Sequence, residues 1–451
     1  MLVTNKLTFF AKIDTYPVWA ALALLWVLLA TGCASTTATS GGLLSDPAVP
    51  NASAPDPNTS EQDGTSETIE AKAPIDGKTE DVQSPSPIED GQAGEPNVRV
   101  RKETIVGYYA WWMKGHWIDM DLSVYDRIIF FTTRPGSDGH IQSKNGWPHA
   151  WVNLIKRADS LEIPIIPALA LMEADSIKTL FSSPEAIENL VATSMTLIEE
   201  SRGQGLHLDI ELFESVSDSL RDGFFTFTDS LAVQAKRKWP NTKLSLFAPA
   251  FDYDGLYDLT RIHPNYSLIM VQGYDLHWQT GPRAGPVATL TGWEGANWED
   301  IVVRYNEAGI SGDRMIMTIP YYGYEWPVES EAAGSTSRGE ARIVTYAEID
   351  SLTLPQYRIS AQQRINQFGL KRDQVSGSPY YTFSDTTGFW QGWFEDESSL
   401  EAKYKFVQKA ALRGVATFPM GYDLGTLDSH INAFFGRRGR SIPIRDPLEK
   451  E

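Results

Sequence analysis

The sequence predicts an α/β chain folded as a (β/α)8 TIM barrel, with a small α+β insertion between the seventh and eighth strands. Three observations lead there. Eight short apolar runs recur between Thr104 and Phe418, most of them separated by amphipathic stretches of helical period. Runs and connections together occupy 315 residues, from Thr104 to Phe418, within the range such barrels use. The interval Tyr321 to Arg413 is far longer than one helix needs, so it must hold structure of its own.

In chain order the strand candidates are Ile105–Tyr109, Arg127–Phe131, Pro164–Ala168, Leu206–Ile210, Lys243–Ala248, Leu268–Val271, Met315–Ile319 and Gly414–Phe418. Ala186–Ser201 and Gly223–Trp239 are the clearest helical stretches between them. Inside the long interval, Arg342–Thr345 and Tyr380–Phe383 read as further strands, which places the insertion at about 325–392.

The N-terminal part is of another kind. Lys6 and Lys12 precede an apolar run from Val18 to Ala30, too short to span a bilayer comfortably. It ends in Leu29-Ala30-Thr31-Gly32-Cys33, which resembles a bacterial lipoprotein cleavage box. The expectation is a signal peptide over 1–33, lipidation at Cys33, and a chain anchored by lipid to the bacterial cell envelope, at the outer membrane or cell surface. Residues 34–102 are rich in Ser, Thr, Pro, Gly, Asp and Glu, with almost no large apolar residues. Such a stretch cannot bury enough surface to fold and reads as a disordered acidic tether. The barrel is expected over 103–440, followed by a short tail, 441–451.

Charge and cysteine usage exclude several classes. The formal net charge is -19, so a phosphate backbone is a poor ligand and no nucleic-acid partner is expected. Roughly a dozen carboxylates between Ala34 and Val98, against Lys72 and Lys78, supply about half of that charge. The folded part is only mildly acidic, which suits a neutral or weakly charged substrate. Cys33 is the single cysteine, so neither a disulfide framework nor a cysteine metal site is available. The seven His residues show no paired ligand spacing, and no metal or cofactor is called for. Nothing in the sequence implies an oligomer. Fourteen Trp, 18 Tyr and 19 Phe read first as a large core, and an excess of Trp and Tyr is also what a ring-stacking cleft would want.

The chemistry concentrates in Gln204-Gly205-Leu206-His207-Leu208-Asp209-Ile210-Glu211. On a strand, His207, Asp209 and Glu211 share one face, while Leu206, Leu208 and Ile210 share the other. In a barrel the polar face points inward and Glu211 reaches the C-terminal mouth, where barrel active sites lie. Two inward carboxylates this close raise each other's proton affinity, as a general acid working near neutral pH requires.

That run resembles the DGxDxDxE signature of glycoside hydrolase family 18, the chitinase family. Four further segments resemble the family in order: Gly107-Tyr108-Tyr109, Gly273-Tyr274-Asp275, Ile319-Pro320-Tyr321-Tyr322-Gly323, and Trp393-Phe394-Glu395-Asp396-Glu397-Ser398-Ser399 with Lys403. The resemblance covers 104–425. The segment Ser378-Pro379-Tyr380-Tyr381 is most similar to the bacterial branch that cleaves spore-cortex or cell-wall glycan and often carries LysM modules.

The resemblance implies retaining hydrolysis of acetamido sugars without a protein nucleophile, the substrate's own acetamido oxygen attacking the anomeric carbon. Glu211 is then the acid and base, Asp209 holds the acetamido N–H, and Tyr274 orients its carbonyl. Asp275, His207, Tyr108, Trp278, Trp326 and Phe418 are the expected substrate contacts, with Trp111, Trp112 and Trp390 as further aromatic candidates. The implied partner is an acetamido-sugar polysaccharide: chitin, chitooligosaccharides or peptidoglycan. A non-catalytic lectin on the same barrel is the alternative of another class. The sequence departs from the family pattern at Gln204, His207, Gln272 and Phe418, and at Leu169-Ala170-Leu171. A protonated His207 would hold Asp209 ionised.

Overall fold

The computed structural model describes residues 103–251, 255–261, 266–293, 297–349 and 359–436. The expected signal peptide 1–33 with Cys33, the tether 34–102 and the tail 441–451 lie outside the described residues.

Eight parallel strands close into a barrel: β1 (Thr104–Ala110), β2 (Arg127–Pro135), β4 (Ile165–Leu171), β5 (Gly205–Ile210), β6 (Lys243–Ala248), β7 (Leu268–Val271), β8 (Met315–Pro320) and β14 (Gly414–Phe418). Closure is made at β1, which pairs with β14 from Thr104↔Gly414 and with β2 from Val106↔Arg127. The TIM-barrel expectation therefore holds, strand for strand. A short β3 (Ile141–Ser143), which the sequence pattern did not disclose, lies antiparallel on the end of β2.

The strands are buried on both faces, as parallel strands inside a helical shell must be. Leu206, Leu208 and Ile210 of β5 are fully buried toward the shell. Gly205 lets β5 approach β6, since a Cβ there would meet the Lys243 carbonyl oxygen at 2.1 Å.

The shell is uneven. Helices α1 (Val152–Ser160), α2 (Ala174–Phe181), α3 (Pro184–Glu200), α4 (Asp218–Lys238) and α5 (Trp298–Glu307) flank β4 to β8. Their starts are encoded locally: Ser183, Ser217 and Asn297 each accept a backbone N–H at the first turn, and Pro184 supplies the helical φ. Between β1 and β2 there are only 3-10 turns, and between β6 and β7 the described residues hold one such turn, Leu259–Arg261.

Directly after Pro320 the chain enters the insertion. Strands β9 (Tyr322–Val328), β10 (Arg342–Thr345), β11 (Lys371–Arg372), β12 (Pro379–Asp385) and β13 (Gly388–Trp393) form an antiparallel sheet in the order β10-β9-β13-β12-β11, joined by α6 (Ala361–Phe368). Glu325, fully buried in this layer, is neutralised by Arg364 at 2.8 Å and accepts from the Tyr381 hydroxyl at 2.9 Å. The chain returns to the barrel through α7 (Glu397–Lys409), started by a reciprocal Asp396–Ser399 capping box. Helix α8 (Thr426–Phe435) follows β14.

Candidate active site

The strand alternation delivers its polar face to the C-terminal mouth of the barrel. His207 sits level with Ala168 of β4 and Ser245 of β6, and Asp209 lies one step higher, level with Ala170. Glu211 is the first residue beyond β5. Its N–H donates to the Leu171 carbonyl at 3.0 Å, so the side chain emerges at a pinned height. The Tyr257 hydroxyl donates to the Ile210 carbonyl at 2.8 Å and fixes the strand end from the opposite side.

From β7, Gln272, Tyr274 and Asp275 enter the same space. Trp298 donates its indole N–H to the Gly273 carbonyl at 2.7 Å, and a Cβ on Gly273 would meet the Thr318 carbonyl oxygen at 2.4 Å. Asp275 has φ of 54°, a left-handed conformation that a non-glycine residue takes only when its surroundings hold it. Here the holders are the Tyr322 and Tyr324 hydroxyls, which donate to Asp275 Oδ1 at 2.8 and 3.0 Å. Phe418, at the end of β14, stacks on Tyr274 with ring centroids 6.0 Å apart and planes 5° from parallel.

Tyr108, Asp209, Glu211, Tyr274, Asp275 and Phe418 thus line one cleft of about 430 Å³. That volume suits a small ligand or a short stretch of a polymer.

Charge in this cleft is costly. Burial, and then the neighbouring Asp209 and Asp275, push the Glu211 carboxyl well above its ordinary range. Burial also raises Asp209, opposed in part by the hydrogen bond it shares with Glu211. The pair therefore holds one proton between its two carboxyls near neutral pH. Asp209, which lines the cleft, has one carboxyl oxygen, Oδ1, buried with no hydrogen-bond partner, an acceptor with unused capacity. Burial and the surrounding carboxylates raise the Tyr274 phenol well above its ordinary value, so it stays a neutral donor.

His207 takes the neutral of the two states open to it. It is fully buried beneath Asp209, and burial, with Arg127 adding to it, lowers the imidazole to about 3. The ring is neutral. Its Nε2 is 3.0 Å from the Tyr108 hydroxyl and its Nδ1 is 3.0 Å from Ser245 Oγ, whereas Asp209 Oδ2 stands 3.9 Å away. It spaces Tyr108 beneath the carboxyl pair and supplies no counter-charge.

Residues 104–423 match the family model for glycosyl hydrolases family 18. The chain belongs to this family.

Among its relatives, an uncharacterized glycosylase from Bacillus subtilis, YvbX, is 25% identical over 255 residues, covering 55% of this chain and 66% of that one. Matches to curated relatives span between 11% and 66% of those proteins' own length. The C-terminal domain of a putative chitinase from Desulfitobacterium hafniense superposes with TM-score 0.62 at 19% identity, covering 74% of this chain and all of that one. The spore cortex-lytic enzyme SleL of Bacillus megaterium superposes with TM-score 0.56 at 17% identity, covering 74% and 75%. These likenesses show a shared fold.

Within the family 18 barrel, the remaining sequence candidates fall elsewhere. Trp326 is fully buried in β9, edge-on to Tyr324, because the insertion sheet starts directly after β8 and leaves no open loop there. It is part of the insertion core and not a sugar platform. Trp278 is 41% exposed on the segment after Asp275, outside the cleft lining. Trp112 donates to the Tyr422 hydroxyl at 2.9 Å, and Trp390 lies under the Arg342 guanidinium at 3.9 Å. Neither lines the cleft, nor does Trp111. Residues that sequence reasoning passed over complete it: Phe131, Met172, Lys178, Phe213, Glu214 and Tyr322. Phe213 and Glu214 closely follow Glu211, and that adjacency was the available signal. Among the described residues no cluster of His, Cys, Asp or Glu is arranged to hold a metal.

Proposed function

We propose that the chain hydrolyses β-1,4 glycosidic bonds in N-acetylglucosamine-containing glycans, chitin or chitooligosaccharides, with retention and with the substrate's acetamido group as nucleophile. One observation carries the reading. Asp209 and Glu211 share a hydrogen bond at the base of a sugar-sized cleft, and Asp209 keeps a buried oxygen unpaired. Carboxyls in contact leave no room for the water that an inverting pair holds across roughly 6.5–9.5 Å. They also fall short of the roughly 5–5.5 Å at which one carboxylate attacks the sugar while the other acts as acid. A carboxyl pair this close fits an acid with a partner that steadies a substrate-borne nucleophile.

In this scheme Glu211 gives its proton to the leaving glycosidic oxygen and later takes one from the incoming water. Asp209 accepts the acetamido N–H on its unused oxygen and steadies the oxazolinium ion as charge develops. Tyr274 donates to the acetamido carbonyl. Asp275, held by its two tyrosines, meets the same sugar from the other side. A lectin reading has no use for a protonated Glu211 at the mouth of β5.

The test is Glu211→Gln against wild type, as full chains, on a fluorogenic chitobioside and on peptidoglycan, with products resolved as chitin oligomers or muropeptides. The expected result is release from the chitobioside that the variant loses. A wild type that releases nothing from either substrate ends the reading.

We further propose export and lipid anchoring through Cys33 at the bacterial cell envelope, supported by the Leu29-Ala30-Thr31-Gly32-Cys33 run and the acidic stretch behind it. Labelling with a fatty-acid analogue should mark wild type and spare Cys33→Ala. Equal labelling of both removes this proposal.

A further inference from the structure

One side of the cleft is built differently from the rest. Tyr274 and Phe418 make an aromatic wall just after β7 and at the end of β14, with the Asp275 carboxyl held beside them by Tyr322 and Tyr324. Opposite them, the segments following β4 and β5 contribute Met172, Asp175, Lys178, Phe213 and Glu214. The Glu211 backbone is tied to this second side by its N–H bond to Leu171 at the end of β4, and its carboxyl stands between the two sides, within electrostatic reach of Tyr274 and Asp275.

If Glu211 hands its proton to the leaving oxygen, the sugar that departs lies against this side. It then meets the apolar surface of Met172 and of Phe213, a residue 37% exposed that lines the cleft. Beyond these sits a charged rim. Lys178 Nζ is 2.5 Å from Glu214 Oε1, so the ammonium in the cleft lining is already paired. Asp175 is exposed in the first turn of α2 and adds a second carboxylate. The nearby Glu173 is answered by Arg134 at 3.2 Å. The rim thus carries two carboxylates against one ammonium, a net charge of −1.

We infer that this rim selects an uncharged N-acetylhexosamine as the leaving sugar and disfavours one bearing a carboxylate. The inference rests on the hydrolase reading above and narrows it. N-acetylglucosamine presents a neutral pyranose to Phe213. N-acetylmuramic acid has the same ring with a lactyl carboxylate added, and that group would enter beside Asp175 and Glu214, where the lining ammonium is already taken. Like charges a few ångströms apart in a partly hydrated cleft repel, and an unpaired carboxylate loses hydration on entry. The preference is therefore for chitin-type chains over the alternating glycan of peptidoglycan.

The test is a charge series in the full chain. Lys178→Met sets the rim to −2, wild type is −1, Glu214→Gln gives 0, and Asp175→Asn with Glu214→Gln gives +1. For each, kcat/KM is measured on chitotetraose and on a peptide-free tetrasaccharide of alternating N-acetylglucosamine and N-acetylmuramic acid. Wild type should favour chitotetraose by more than about tenfold. The ratio should fall about threefold per unit of positive charge added, as expected for single charges several ångströms apart in a mostly aqueous setting. The dependence should shrink at about 1 M salt, where screening is short-ranged. A packing role for these side chains would not order the four proteins by charge. A wild type that prefers the muramyl substrate, or a ratio flat across the series, overturns the inference while leaving the hydrolase reading standing. A wild type that cleaves neither substrate removes the hydrolase reading itself.

Discussion

Asp275→Asn should stabilise the folded chain at neutral pH and leave it unchanged in acid. Burial raises this carboxyl from its ordinary 3.8 to about 6, against the two tyrosine hydroxyls that work to lower it. The difference corresponds to about 3 kcal/mol between protonation states, at ~1.4 kcal/mol per tenfold. The sign follows from linkage. A carboxyl raised in the fold binds its proton there more tightly than in the unfolded chain. Its contribution is fully present below 3.8 and is lost as pH rises through about 6. Above that pH the wild type holds a desolvated charge, whereas asparagine holds none. The amide oxygen of the substituted side chain can still accept from Tyr322 and Tyr324, whose bonds both end on one oxygen, Oδ1. The variant should therefore gain about 2–3 kcal/mol over wild type at pH 7.5 and close to nothing at pH 4. Denaturant unfolding of both full chains at the two pH values measures this, with matched slopes confirming a common unfolding transition. A gain of equal size at both pH values would refute the electrostatic argument. So would a loss at pH 7.5, which would mean that the charge is needed to hold the left-handed backbone at 275. Activity should fall in the same variant if Asp275 meets the sugar as proposed, the destabilising group then being a functional one.

Further outcomes follow from the same geometry. Glu211→Gln should lower kcat on a chitobioside by at least about 10³-fold with an unaltered fold, checked by circular dichroism, since general acid catalysis alone contributes about 10²–10⁴. Tyr274→Phe should cost about 10²-fold in kcat with little change in KM, because it removes a donor aimed at developing charge and keeps the ring on Phe418. The pH–rate profile should be bell-shaped, its alkaline limb lying above the usual carboxyl range because the Asp209–Glu211 pair must keep one proton. Nitrogen NMR of His207 should show a neutral ring from pH 8 down to at least pH 5, burial having lowered it to about 3.

What could be read in the sequence, and what could not, divides by range. The barrel strands were legible because a strand buried on both faces has almost no choice of residue, so Leu206–Ile210 and Met315–Ile319 announce themselves. Asp209 and Glu211 stood out against that background as polar residues at the strand period. The connections were less legible. No periodic pattern marks the gap between Lys243–Ala248 and Leu268–Val271, and the described residues there hold a single 3-10 turn. Trp326 was misplaced: its distance from the seventh strand is that of a loop, but β9 begins two residues after β8 ends and turns the tryptophan into the insertion core.

His207 shows the deeper limit. Whether it carries a charge depends on Tyr108, Ser245 and Arg127, which come from three other strands and are at least 38 positions away in the chain. Periodicity can put a histidine on the inward face, but it cannot say what the other strands place against it. The charged rim has the same origin, with Lys178 from one segment and Glu214 from the next meeting only in the folded barrel. The proposed acid is thus encoded within one short run of residues, whereas the neighbour beneath it and the charged rim beside it are properties of segments brought side by side.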